Sequence, residues 1–161
     1  MPVQDAAVAA RRGEGARGVV TERRAPRTAV EPLPVGAAAT VLLVDDDYAI
    51  LDGVSEFLAD EGFAVVPASN GVDALNQLRA GLRVDAIVLD VMMPTMDGWD
   101  FRAEQLADPG LRDIPVVVIS ACGFAQDTLQ HQFSADQVLP KPLDLGGFLR
   151  VLKMACGGSR I

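Results

Sequence analysis

Four short apolar runs constrain this chain more than any other feature. Val41-Leu42-Leu43-Val44, Phe63-Ala64-Val65-Val66, Ala86-Ile87-Val88-Leu89 and Val116-Val117-Val118-Ile119 are rich in β-branched residues and do not alternate with polar ones. A strand with one wet face alternates, whereas a strand covered on both faces does not, so each run reads as a strand buried on both sides. Val138-Leu139 is a weaker fifth. Between them lie helical spacings: Ile50, Val54, Phe57 and Leu58; Val72, Leu75 and Leu78; and Leu145, Phe148, Leu149 and Leu152. Trp99 to Ala107 and Phe124 to Phe133 are less regular but long enough for helices. Gly62, Gly81 and Gly110 are read as the ends of three of them. Five alternations of strand and helix predict an α/β fold, a doubly wound parallel sheet with helices on both faces.

The rest of the chain is of another kind. Residues 1–39 hold six Arg and four acidic residues among Ala, Gly, Pro and Val, with no helical or alternating period and no aromatic residue. Such a segment buries too little surface to offset chain entropy and is expected to be a disordered leader. It has no continuous apolar core for a signal peptide, and Asp5, Glu14, Glu22 and Glu31 count against an organellar transit peptide. A start codon placed upstream of the true one is an equal alternative. The folded domain is expected over 40–155, with 156–161 a short flexible tail.

The whole chain has a formal charge of -8. That excess disfavours nucleic acid and anionic membranes as direct partners, because both select Lys/Arg surfaces. No run of about 18 apolar residues is present to span a bilayer. Cys122 and Cys156 form neither a disulfide framework nor a CxxC site, which points to a reducing cytoplasm.

In doubly wound sheets, ligands sit at the carboxyl ends of the strands. There the sequence places Asp45-Asp46-Asp47 after the first run, Asp90 after the third, Ser120 after the fourth, and Lys141 between Pro140 and Pro142 after the fifth. Each alone has an ordinary explanation: a strand-end Asp is most often a helix cap, Ser120 a satisfied hydroxyl and Lys141 a solvated cation. Asp47 is expected to keep that ordinary role and to cap a helix starting near Tyr48. The joint placement changes the balance. Carboxylates held together repel one another unless a cation sits among them, and only hard oxygen donors are on offer, which suits Mg²⁺. A carboxylate beside Mg²⁺ is a nucleophile toward phosphorus, with Lys141 and Ser120 available to the added negative charge.

From Val41 to Lys153 the chain resembles the receiver domain of two-component response regulators. The strings that carry the resemblance are Val41-Leu42-Leu43-Val44-Asp45-Asp46-Asp47, Ala68-Ser69-Asn70-Gly71-Val72-Asp73-Ala74-Leu75, the run from Asp85 through Asp90-Val91-Met92-Met93-Pro94-Thr95-Met96-Asp97 to Gly98, and Leu139-Pro140-Lys141-Pro142. The resemblance implies a flavodoxin-like five-stranded sheet of order 2-1-3-4-5 with five helices. It implies that Asp90 accepts a phosphoryl group from a phosphohistidine of a histidine kinase or histidine phosphotransfer protein. It further implies that Asp45, Asp46, Asp90 and the main-chain carbonyl of Met92 hold Mg²⁺, that Lys141 pairs with the phosphoryl oxygens, and that Ser120 moves toward them. The Lys141–Pro142 peptide is often cis in this family.

Two departures are informative. Val138 stands where the family usually has Tyr or Phe, so coupling through an aromatic rotamer is absent, and Ser134 replaces a usual Gly. The residues after Lys153 are too few for an output module, so the expected protein is a stand-alone receiver that is not an enzyme and signals through a separate effector. In this family the positions flanking the hydrolytic water correspond to Met92 and Cys122, both poor at orienting water, which implies a long-lived phosphoryl group. Trp99 and Phe101 are expected to pack in the core. A haloacid-dehalogenase-type phosphatase needs a second Asp where Met92 stands. A flavodoxin-like nucleotide site needs a Gly/Ser/Thr-rich loop where the three acids stand. The remaining alternative is a pseudo-receiver, a binding module independent of phosphorylation.

Overall fold

The computed structural model describes residues 39–121, 129, 131, 133 and 137–157. The elements run β1 Thr40–Val44, α1 Tyr48–Asp60, β2 Ala64–Ala68, α2 Gly71–Arg79, β3 Ala86–Asp90, α3 Gly98–Ala107, β4 Val116–Ala121, β5 Val138–Lys141 and α4 Leu145–Gly157. The strands form one parallel sheet of order β2-β1-β3-β4-β5, the order that the family resemblance implies. Four helices fall in the described residues. The expected fifth, Phe124 to Phe133, lies mostly outside them, as do Cys122, Ser134 and the leader.

Why the apolar runs become these strands is explained by their neighbours. Val41–Val44 of β1 and all of β3 are buried, because each has a strand on either side and a helix layer on either face. Alternate residues feed two separate cores. Leu42, Val44, Ile87 and Leu89 pack with Ala74, Leu75 and Leu78 of α2 and Phe101 of α3. Val41, Leu43 and Val88 pack with Leu51, Val54 and Leu58 of α1 and Phe148 and Leu152 of α4. Among the described residues, α2 and α3 therefore cover one face and α1 and α4 the other. Among the described residues no helix is long and apolar enough to cross a membrane.

The edge strands depart from the sequence reading. β2 starts at Ala64 and runs through Pro67, and β5 contains Pro140. Proline donates no ladder hydrogen bond, so it is tolerated at sheet edges. β4 extends one residue past Ser120 to Ala121, and Lys141 is the last residue of β5 rather than beyond it. In α2, Val72 is 39% exposed and Ala74 takes the buried place, so the inward stripe is Ala74, Leu75 and Leu78. Gly62 and Gly81 follow α1 and α2 with φ of 89° and 103°, the left-handed conformation that favours glycine after a helix. Gly110 does not do this: α3 ends at an extended Asp108, and Gly110 lies in the following turn, donating its N–H to Asp108 Oδ1. Phe101 is wholly buried, and Trp99 packs at its edge with its ring 5.6 Å from that of Phe133.

Candidate functional site

Parallel strands in register bring their last residues to one edge. Val44 pairs with Ala68 and Leu89, Asp90 with Ile119, and Ala121 with Lys141. Asp45, Asp90, Ser120 and Lys141 are thereby carried to the carboxyl edge by four adjacent strands. Asp45, Asp46 and Asp90 each offer a carboxylate oxygen, and these oxygens lie within 4.8 Å of one another. Asp45 and Asp90 are buried and Asp46 is exposed. Lys141 Nζ stands 3.3 Å from Asp45 Oδ2 and 3.5 Å from Asp90 Oδ1.

The three consecutive acids have different tasks. Asp47 caps α1, its Oδ1 accepting the N–H of Ala49, the ordinary role expected for it. Asp45 Oδ1 accepts the N–H of Asp47, which turns the other oxygen, Oδ2, to Lys141. Asp46 makes the exposed corner of the trio. Ser120 is buried, and its hydroxyl donates to the Ala121 carbonyl. Met92 donates its N–H to Asp90 Oδ1 at 3.3 Å, while its side chain is exposed. The Lys141–Pro142 peptide is cis. Val138 is half-buried and packs against the α2–α3 core.

Burial raises the Asp90 carboxyl above the usual aspartate range, and the nearby Asp45 carboxylate adds to the shift. Lys141 and the Met92 N–H pull the other way but do not offset it. A carboxylate whose charged form is disfavoured by burial and by a like charge is stabilised by a cation placed beside it.

Sequence reasoning misses one functional residue. Gly98 opens α3, and a Cβ there would stand 2.7 Å from Val91 Cα and 2.9 Å from the Asp90 carbonyl oxygen. Its N–H donates to the Val91 carbonyl at 2.9 Å, closing the β3–α3 loop on itself. Backbone thus meets backbone behind Asp90, and only glycine fits. The sequence signal is the Asp97-Gly98 pair, which reads as part of a motif rather than as a packing requirement.

The chain matches the response regulator receiver domain over residues 41–153. It is 40% identical over 106 residues to the response regulator MprA of Mycobacterium sp. (strain KMS), covering 65% of this chain and 45% of that protein. The chain spans about half the length of the curated relatives it matches. Among solved structures it is similar to the signal receiver domain of a signal transduction histidine kinase from Syntrophus aciditrophicus, with TM-score 0.69, 27% identity, and 76% and 93% of the two chains covered. It is also similar to the receiver domain of a sensor histidine kinase from Pseudomonas aeruginosa PAO1, solved with a magnesium ion in the active-site cleft, with TM-score 0.66, 25% identity, and 74% and 98% covered. The five-stranded sheet of order 2-1-3-4-5 with acids at its carboxyl edge places the chain in the class of flavodoxin-like receiver folds. Within that class, this chain belongs to the response regulator receiver domain family of two-component systems.

Proposed function

We propose that Asp90 accepts a phosphoryl group from a phosphohistidine of a histidine kinase or histidine phosphotransfer protein, and that the phosphorylated domain acts on a separate effector protein. The observation that carries this reading is the acidic trio gathered within 4.8 Å beside one lysine. The donor set is all oxygen and includes a buried carboxylate, which fits Mg²⁺ held by Asp45, Asp46, Asp90 and the main-chain carbonyl of Met92. When bound, Mg²⁺ would neutralise the acids and let an anionic phosphoryl group approach. The Asp90 oxygen then bonds to phosphorus in line as the P–N bond of the donor breaks, the electron pair leaving on the imidazole nitrogen. Lys141 supplies the fixed positive charge for the new oxygens, and the Ser120 hydroxyl turns from the Ala121 carbonyl to a phosphoryl oxygen. The chain is itself the acceptor, so each molecule changes once per donor rather than turning over substrate. A phosphohistidine donor and the free, buried Cys156 thiol suit a cytoplasmic setting.

Incubation with acetyl phosphate and Mg²⁺ should add the mass of one phosphoryl group, and Asp90→Asn should add none. Equal uptake by Asp90→Asn would overturn the assignment. The exposed thioether of Met92 is a poor acceptor for a hydrolytic water, so the adduct should last minutes or longer after donor removal. Met92→Asn combined with Cys122→Glu should speed its decay by about one to two powers of ten.

A further inference from the structure

We infer that Met96 and Gly71 are positioning residues for the phosphoryl site: the Met96 side chain, seated against the Cα of Gly71, pins the loop that follows Asp90 to the start of α2. The inference rests on the reading of Asp90 as phosphoryl acceptor and names what holds that acceptor's loop in place.

The loop from Val91 to Asp97 is closed at its base by Gly98 and anchored by Met93, buried in the α2–α3 core. Its outer limb has a different support. Thr95 adopts φ of 73°, and Met96 donates its N–H to the Pro94 carbonyl at 2.9 Å, so Pro94-Thr95-Met96 is a γ-turn of the rare, strained kind. A β-branched residue in this conformation persists only where the surroundings hold it. Met96, the next residue, is half-buried against the α2–α3 core and anchors the end of this turn beside Gly71. A Cβ on Gly71 would lie 2.8 Å from Met96 Cγ, 2.9 Å from Sδ and 3.2 Å from Cβ. Gly71 has no left-handed backbone to explain its glycine, and Asn70 already caps the helix by accepting the Asp73 N–H. The space a Cβ would take at position 71 is filled by Met96, so a side chain there requires the methionine to shift.

The place of this contact in the sheet gives it a role. β1 lies between β2 and β3, so the segments that follow β2 and β3 meet over the end of β1. The Asp45 N–H donates to the Ala68 carbonyl, tying the first acid to the end of β2. Gly71 is three residues further on. Met96 therefore closes a ring that runs from Asp45 through the end of β2, Gly71, Met96 and the loop to Met92, whose N–H holds Asp90. On this inference a shift of Met96 strains the loop on the far side of Met93 and is read at Met92, whose N–H holds the Asp90 oxygen.

The test uses the full chain and three variants: Gly71→Ala, Met96→Ala and the pair together. At the first turn of a helix, alanine in open space is favoured over glycine, so a loss in Gly71→Ala reports the collision and not the helix. The expected result is a fall in the rate of uptake from saturating acetyl phosphate by about tenfold in either single variant, with weaker Mg²⁺ binding by calorimetry and a shifted Met92 amide resonance. In the pair, the new methyl at position 71 faces a side chain cut back to its own methyl at position 96, so uptake and the resonance should return toward wild type although the packing of methionine stays lost. Recovery in the pair separates positioning from general destabilisation, which would only accumulate. Wild-type uptake in Gly71→Ala, or a pair no better than its singles, overturns the inference. Absence of uptake in the wild-type chain would instead overturn the reading of Asp90.

Discussion

The two loops that present the acids are built on opposite principles. The β1–α1 loop is three residues, Asp45 to Asp47, and is held by its own side chains: Asp45 accepts from Asp47, and Asp47 accepts from Ala49. The β3–α3 loop is seven residues, Val91 to Asp97, and is held by distant packing: Met93 in the core, Gly98 against backbone, and Met96 on Gly71. A short loop rich in Asp accepts its own following N–H groups and needs few long-range ties, here the Asp45 N–H on the Ala68 carbonyl and Asp45 Oδ2 on Lys141. A longer loop loses more entropy when ordered and needs apolar plugs and tight glycine contacts. The carboxylates that must sit together thus arrive by one local route and one tertiary route, so substitutions should damage them differently.

The comparison is broken most sharply at Asp46. It is exposed and is a ligand only in the proposed Mg²⁺ site, so Asp46→Ala should weaken Mg²⁺ binding by about two powers of ten while leaving Tm nearly unchanged. Titration calorimetry and a thermal melt on the same samples check this. A loss of Tm matching the loss of affinity would show that the short loop also depends on packing.

Gly98→Ala tests the other loop. Its methyl would press on Val91 Cα and the Asp90 carbonyl, neither of which can yield, so the expected destabilisation is about 2–3 kcal/mol by urea unfolding, with lost phosphoryl uptake. Unchanged stability would mean that the long loop is slack.

Asp90 joins the two loops, and its burial gives a pH dependence. Its folded-state carboxyl titrates above the ordinary value of 3.8 because burial, then Asp45, disfavour the charged form. A group raised on folding contributes stability that is full below its unfolded pKa and is lost as pH rises through its folded pKa. Asp90→Asn cannot ionise, so without metal it should melt higher than wild type at pH 7, and the gain should vanish below about pH 3.8. A constant difference across this range would assign the effect to packing.

The smallest effect is expected at Thr95. Glycine removes the strain of a positive φ but adds freedom to the unfolded chain, leaving a net stabilisation of about 1 kcal/mol in Thr95→Gly. Denaturant midpoints are sufficient to detect it.

Much of this is legible in the order of residues. The buried strands stand out because Val41–Val44 and Ala86–Leu89 do not alternate, and parallel pairing then delivers the residues after each strand to one edge. That rule finds Asp45, Asp46, Asp90, Ser120 and Lys141, and position alone assigns Asp47 its cap. Strand ends are less legible. Pro67 and Pro140 sit within β2 and β5 because those strands are sheet edges, and whether a strand is an edge depends on its neighbours, not on its own composition.

What the sequence determined by itself is local: period, capping, and the chemistry placed after each strand. Only the tertiary structure decided which glycines serve as turns and which as space. Gly62 and Gly81 follow from helix ends, where φ turns positive. Gly71 and Gly98 have no local signature, because the atoms that forbid a side chain there come from Met96, Val91 and Asp90. The same holds for Gln105, a polar residue on a weakly amphipathic helix that is wholly buried, its amide donating to the carbonyls of Leu111 and Ile114. Periodicity reads the preferences of a segment for water or for oil. Contacts between segments far apart in the chain are set by where folding brings them, and they leave no period to read.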